Sequence, residues 1–356
     1  MLSKNWGSVE MDVLLMAPFP PAVGGIAAWA SGIVKVAERT DIIIHILNEA
    51  EKEQGEKNFF ANIVRSFKIW YTLRDTLENN DSIEIVHINI PANVMSMLRE
   101  CISIAIVHHK SKKVVLHFHC TLPTAINGKI KYLIFDFICK KSDHIITLNN
   151  KSYKYIQNKY YKKVSVLPNF ASEDKLEKGM LKYSNDKINK VLFVGNVIAE
   201  KGCLDLIEIA KKFPEIEFRF VGRVGNELLG MGKPINVTFT GVKGGTELEE
   251  EFLSADIFAF LSYMPMEGFS VALTEAMAYG LPCLVTDWAA NKDMIENDGG
   301  IVINIKNPEE GILALNKMQD KETRRRQSAW NCNKVENNYT LKAVWTRLMT
   351  LYLSLN

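Results

Sequence analysis

The sequence predicts an α/β protein made of two doubly wound parallel-sheet domains. Short apolar runs of strand length alternate with helical patterns along most of its 356 residues, and such alternation builds parallel sheets. The alternation restarts after Ala171–Asp186, a charged stretch poor in β-branched residues that reads as a linker. Several runs in the second half end in glycine, at Gly195, Gly222 and Gly241. Open α/β sheets bind ligands beyond such carboxyl strand ends. The predicted division is a first domain over 1–172, a linker over 173–187 and a second domain over 188–336. The apolar tail 337–356, carrying Trp345, reads as a helix returning to the first domain.

VLLMAP (Val13–Pro18) reads as the first strand, and the prolines after it stop the run. Gly24 and Gly25 then precede a helix over Ile26–Glu38. Glycines permit backbone conformations closed to other residues, and a helix N-terminus behind them gathers free N–H groups into a phosphate cradle. A plain tight turn uses the same residues, and the pair is not the GxGxxG dinucleotide fingerprint. Further strands are read at Ile42–Leu47, Ile83–Ile90, Val114–Cys120, His144–Asn150 and Val164–Phe170. His119 falls at a strand end, where functional side chains gather, whereas His87 and His117 read as structural. Lys57–Leu77 is helical, with Phe60, Ile63, Val64, Phe67 and Tyr71 spaced by threes and fours. Packing on the sheet accounts for that stripe, although its basic and aromatic content around Trp70 also suits a membrane surface.

In the second half, strands are read at Lys190–Asn196, Phe218–Val224, Val237–Val242, Asp256–Tyr263, Leu284–Val285 and Gly299–Asn304. Ala199–Phe213 and Glu247–Ala255 read as helices, and Pro308 sits in the first turn of another. The most informative stretch is EGFSVALTEAMAYGLPCLVT, Glu267–Thr286. A loop opens with Glu267-Gly268, a helix starts near Ser270, and Glu275 follows eight positions after Glu267. Gly280-Leu281-Pro282 stops that helix before the next strand.

Composition limits the partners. Hydrophobic residues make up 47% and charged residues 24% of the chain, and the net charge is +2, as in ordinary globular proteins. The charge is uneven: residues 101–185 hold 15 Lys/Arg against 5 Asp/Glu. Such an excess faces phosphates or an anionic membrane, or is an ordinary solvated surface. Six scattered cysteines without metal-ligand spacing read as reduced thiols. No signal peptide or membrane-spanning run is read, so a cytoplasmic protein is expected, placed at the inner face of the plasma membrane if it meets a membrane at all. No nucleic-acid partner is expected.

The second half resembles the family-4 retaining glycosyltransferases, which have the GT-B fold. FVGNVIAEKG is similar to that family's strand–loop element, and EGFSVALTEAMAYGLPCLVT to its Glu-x7-Glu motif with an AMAxGxP tail. LPNF resembles the segment before its interdomain linker, and PAVGGIAAWA its first-domain glycine loop. The resemblance is dense over Val191–Asn304 and loose before it. It implies two Rossmann-like domains facing across a ligand cleft. The second binds a nucleotide-diphosphate sugar, a UDP-sugar in the first instance, and the first binds a glycan or lipid-linked sugar acceptor. Transfer occurs with retention at the anomeric carbon, without a cofactor or an obligatory metal.

Residue by residue, the resemblance assigns Glu275 to the ribose hydroxyls, Glu267 to the donor sugar, and Lys201 to the diphosphate. It assigns His119 to the donor-sugar side of the first domain, and Gly24 and Gly25 to the loop approaching the diphosphate. Elementary chemistry agrees. A carboxylate can accept from two vicinal hydroxyls, and a departing diphosphate needs donors already in place. Lys201 and the N–H groups of Gly268, Phe269 and Ser270 are such donors. One departure stands out: Asn196 occupies a position where the family commonly has a diphosphate-gripping arginine. Arg223, after the next strand, is the nearest substitute by position. Surface-glycan synthesis is the implied role. The alternatives are a donor-binding, catalytically weak partner subunit, or another GT-B enzyme such as a nucleotide-sugar epimerase.

Overall fold

The computed structural model describes residues 11–22, 24–50, 59–160, 163–182 and 185–355. The chain forms two compact units, one reaching to Pro168 and resuming at Val344, the other spanning Asn169–Ala343.

The first unit alternates strands and helices: β1 (Met11–Ala17), α1 (Gly25–Ala37), β2 (Ile42–Asn48), α2 (Phe59–Asn79), β3 (Ile83–Ile90), α3 (Val94–His109), β4 (Lys113–Phe118), α4 (Leu122–Ala125), α5 (Lys129–Lys141), β5 (His144–Thr147), α6 (Asn150–Tyr160) and β6 (Val164–Val166). The strands pair in parallel in the order β2-β1-β3-β4-β5-β6. The central strands are buried on both faces, so they read as unbroken apolar runs. Leu14, Val86, Ile88, Leu116 and Phe118 form a core with Leu73, Ile104 and Phe135 from the helices.

The stripe read along α2 does not face that core. Ile69, Leu73 and Leu77 do, whereas Phe60 and Tyr71 are each 73% exposed and Val64 and Phe67 nearly as much. Trp70 turns inward, its indole N–H donating to the Arg99 carbonyl at 3.1 Å. Helical spacing locates a stripe but not the side that is buried when both sides carry apolar residues.

The second unit contains α7 (Glu173–Met180), β7 (Lys190–Val194), a 3₁₀ turn (Ala199–Lys201), α8 (Cys203–Ala210), β8 (Glu217–Val221), β9 (Val237–Gly241), α9 (Gly245–Ser254), β10 (Ile257–Phe260), α10 (Val271–Ala278), β11 (Cys283–Thr286), α11 (Asn291–Ile295), β12 (Gly300–Ile303), α12 (Pro308–Lys317) and α13 (Lys321–Asn338). Its parallel order is β12-β11-β10-β7-β8-β9.

Three expectations differ here. The stretch 173–187 opens with a packed helix, α7, rather than as a linker. Leu176 is buried, and Gly179 lies so close to α10 that a Cβ would sit 2.0 Å from the Ala278 carbonyl oxygen. The helix expected over Ala199–Phe213 is broken at Gly202, which has φ +74 and no room for a side chain against Leu261. In the tail 337–356 the first two residues close α13, and the expected helix begins later, as α14 (Leu341–Leu353), where the Thr340 hydroxyl accepts the Ala343 N–H at 3.2 Å. From Val344 the chain belongs to the first unit, where Tyr352 is fully buried and its hydroxyl meets His87 Nδ1 at 2.5 Å.

Candidate active site

The carboxyl edge of the second sheet gathers most of the predicted residues. Gly195 and Gly222 end β7 and β8 with φ of +148 each. A Cβ on Gly222 would lie 1.8 Å from the Gly195 carbonyl oxygen, so the two loops can touch only because residue 222 is glycine. Past the glycines the loops remain joined, Val197 N donating to Arg223 O at 2.8 Å and Gly225 N to Val197 O at 2.9 Å. Asn196 and Arg223 are therefore exposed on adjacent, tied loops. The Arg223 guanidinium makes no ion pair among the described residues.

Gly202 ends the 3₁₀ turn that carries Lys201, and the lysine ammonium forms an ion pair with Glu267. The pair is largely enclosed, its side chains 15% and 11% exposed. The Ser262 hydroxyl lies 3.4 Å from the same Glu267 oxygen, and the Phe260 ring lies 5.1 Å beneath the ammonium. The loop after β10 is held from two sides. Tyr263 N donates to Glu200 O at 2.9 Å. The Thr286 hydroxyl donates to Ser262 O at 2.6 Å, and the Trp288 indole N–H to Met264 O at 2.7 Å.

Beyond that loop, Ser270 caps α10 by accepting the Leu273 N–H at 3.2 Å. Phe269 is buried against Tyr339, with ring centroids 5.2 Å apart, and its carbonyl accepts from the Asn169 side chain at 2.8 Å. This bond fixes the peptide between Phe269 and Ser270. Glu275, one turn into α10, forms an ion pair with Lys175 of α7. Lys175, Ser262, Asn169, Thr286 and Trp288 escape sequence reasoning. Each is an ordinary polar or aromatic residue whose partner is fixed only by the fold. Asn169 and Thr286 lay in stretches already singled out, LPNF and Glu267–Thr286.

In the first unit, α1 begins at Gly25 with Gly24 at φ +152, and no side chain caps its N-terminus. Trp29, one turn later, is buried edge-on against three histidines. Its ring centroid lies 4.7 Å from His117, 5.5 Å from His87 and 5.7 Å from His119. His117 and His119 lie 4.0 Å apart. His119 Nε2 meets the Asn89 side-chain oxygen at 2.8 Å, and the Asn89 amide donates to Met16 O at 3.1 Å. An amide oxygen only accepts, so Nε2 of His119 carries the proton and Nδ1 is left as an acceptor. Burial pushes the His87 pKa down to about 3 and holds His117 and His119 well below the usual histidine range. All three are neutral at pH 7. The structure thus joins the glycine loop of α1 to His119 through Trp29, and confirms His87 and His117 as interior residues.

Among the described residues, no three His, Cys, Asp or Glu side chains are grouped to hold a metal ion.

Two six-stranded parallel sheets with intervening helices, the second bearing two carboxylates on a loop and helix at its carboxyl edge, make up the GT-B architecture. Residues 178–334 are similar to the family described as glycosyl transferases group 1. The chain is 30% identical over 180 residues to sulfoquinovosyl transferase SQD2 of Arabidopsis thaliana, covering 47% of this chain and 33% of that one. It is 22% identical over 314 residues to alpha-galactosylglucosyldiacylglycerol synthase of Streptococcus pneumoniae, covering 79% of this chain and 82% of that one. The solved structure of HepE from Anabaena in complex with UDP superposes with a TM-score of 0.72 at 12% identity, over 97% of this chain and 100% of that one.

Proposed function

We propose that the chain transfers a sugar from a UDP-sugar to a lipid-linked or oligosaccharide acceptor, with retention at the anomeric carbon and without an obligatory metal. We place it in glycolipid or surface-polysaccharide synthesis, at the cytoplasmic face of a membrane. The observation that carries this reading is the contact of Lys201 with Glu267, whose carboxylate the Ser262 hydroxyl also approaches. A cation and a carboxylate 66 residues apart meet at the carboxyl edge of the sheet, where ligands of such sheets bind. The bond broken joins the anomeric carbon to the diphosphate. The bond formed joins that carbon to an acceptor hydroxyl, whose proton passes to the departing diphosphate. Lys201 faces the growing negative charge, a preorganised donor of the kind that contributes most to such reactions. Glu275 takes the ribose hydroxyls by exchanging them for Lys175. The names of the lipid-glycan relative and of the UDP-bound neighbour support the donor and acceptor classes.

The test is turnover with a panel of UDP-hexoses and a diacylglycerol- or polyprenyl-linked glycoside, with the product's anomeric configuration read by NMR. An inverted product would sink the retaining assignment. Tight UDP binding with no UDP release against any acceptor would instead favour the donor-binding partner.

A further inference from the structure

The turn that starts α10 is held by two segments far from it in sequence. The Asn169 side-chain amide donates to the Phe269 carbonyl at 2.8 Å. The Phe269 ring packs edge-on against Tyr339, with centroids 5.2 Å apart. The two holding segments are themselves joined. Ala171 N donates to Tyr339 O at 2.8 Å, and Ala171 pairs with Thr340 in a parallel bridge. Asn169, Ala171, Phe269, Ser270, Tyr339 and Thr340 are all buried, and all belong to the second unit.

What this anchoring does follows from the geometry of one peptide. A trans peptide points its C=O and N–H in opposite directions. Asn169 fixes the Phe269 carbonyl, so it aims the Ser270 N–H of the same peptide the other way. The remaining polar groups of Ser270 are taken. Its hydroxyl accepts the Leu273 N–H at 3.2 Å, and its carbonyl accepts the Thr274 N–H at 3.1 Å and the Thr274 hydroxyl at 2.8 Å. The Ser270 N–H alone has no partner among the described residues. Buried backbone donors are seldom left so, and one at a helix N-terminus suits an anion. Asn169 is itself a costly choice for a buried position. Its side-chain oxygen has no partner among the described residues, so the amide is buried for the sake of a single bond. Aiming the peptide accounts for that cost.

We propose that Asn169 is a positioning residue for the diphosphate, aiming the Ser270 N–H at it through the Phe269 carbonyl. This rests on the UDP-sugar reading above and is tested by binding, without turnover. The full-length chain is titrated calorimetrically with UDP and with uridine, which lacks the diphosphate. Asn169→Ala should lower UDP affinity about tenfold and leave uridine affinity within about twofold of the wild type. Asn169→Asp tests the donor itself. A carboxylate cannot donate to the Phe269 carbonyl, whereas a protonated carboxyl can. Burial against a carbonyl oxygen favours the protonated form, so the UDP deficit of Asn169→Asp, taken against the wild type at the same pH, should be present at about pH 8 and shrink towards about pH 5. A wild-type chain without affinity for UDP would overturn both this proposal and the reading it rests on. If the wild type binds UDP, three results would overturn the positioning role alone: unchanged UDP affinity in Asn169→Ala, equal losses for UDP and uridine, or an Asn169→Asp deficit that ignores pH.

Discussion

Lys201 and Glu267 are the residues on which the proposed chemistry turns, and the pair makes sharp predictions. Replacing Lys201 by methionine keeps the length and removes the donor, so turnover should fall about 10²–10³-fold. Glu275→Gln should act mainly on donor affinity, weakening UDP-sugar binding by about ten- to a hundredfold, the worth of one charged hydrogen bond. Isothermal titration with a UDP-sugar separates the two variants, and the reverse pattern would exchange their roles. Arg223, without an ion pair among the described residues and tied to the Asn196 loop, is the cation available where the resemblance implies a missing arginine. Arg223→Ala should weaken UDP-sugar binding more than uridine binding, and equal affinities before and after would end that idea. Sequence reading named these residues but not their partners. Lys175 stands in a charged stretch where a lysine looks like solvent-facing surface, and only the approach of α7 to α10 brings it to Glu275.

At the scale of elements, close approaches decide more than propensity. Gly202 interrupts what reads as one amphipathic helix, and the break sets the start of α8 and the direction of Lys201. Gly202→Ala combines a left-handed backbone with a Cβ 2.2 Å from the Leu261 carbonyl oxygen. It should cost about 2–4 kcal/mol in urea unfolding and move the lysine as well. Gly179→Ala should cost a similar amount by parting α7 from α10, with the Lys201 site left intact. α13 shows the opposite limit of pattern reading. Its 18 residues are mostly polar, and no apolar period marks it. It is held by Arg324, buried and donating to the Met318, Gln319, Asn185 and Asp186 carbonyls, and by Asn331, donating to Leu281 O and Gly299 O. Pairings between distant stretches leave no periodic trace in a sequence.

For the molecule as a whole, the buried histidines tie stability to pH. Folding lowers the pKa of His87 to about 3 from an ordinary 6.5 through burial, and drives His117 in the same direction. Between those values the unfolded chain binds more protons than the folded one. Stability therefore rises with pH through this window and falls on acidification, by about 1.4 kcal/mol per pH unit for each such histidine. Urea unfolding at pH 7 and pH 5 checks this, and His87→Phe should flatten the slope; equal slopes in the two proteins would refute it. A second buried group works with opposite sign of charge. Arg99 bridges Glu49 at 3.0 Å and Glu100 at 2.6 Å, and burial together with Glu100 raises the Glu49 pKa to about 8. Arg99→Met should cost about 3–5 kcal/mol, because it leaves carboxylates buried without their cation.

The sequence by itself determined the class of fold. Strand-length apolar runs, glycines at strand ends and a restart of the alternation are local features, and the two parallel sheets follow from them. It also determined the Glu267–Thr286 stretch, because a loop, a capped helix and its stop are written within twenty consecutive positions. Tertiary structure alone decided which side of α2 meets the core, that the supposed linker is a helix of the second unit, and that Lys201 meets Glu267. The physical reason is the same in each case. A residue's type and spacing are properties of its own segment, whereas burial, ion pairing and close backbone approach depend on a second segment whose position the first does not encode.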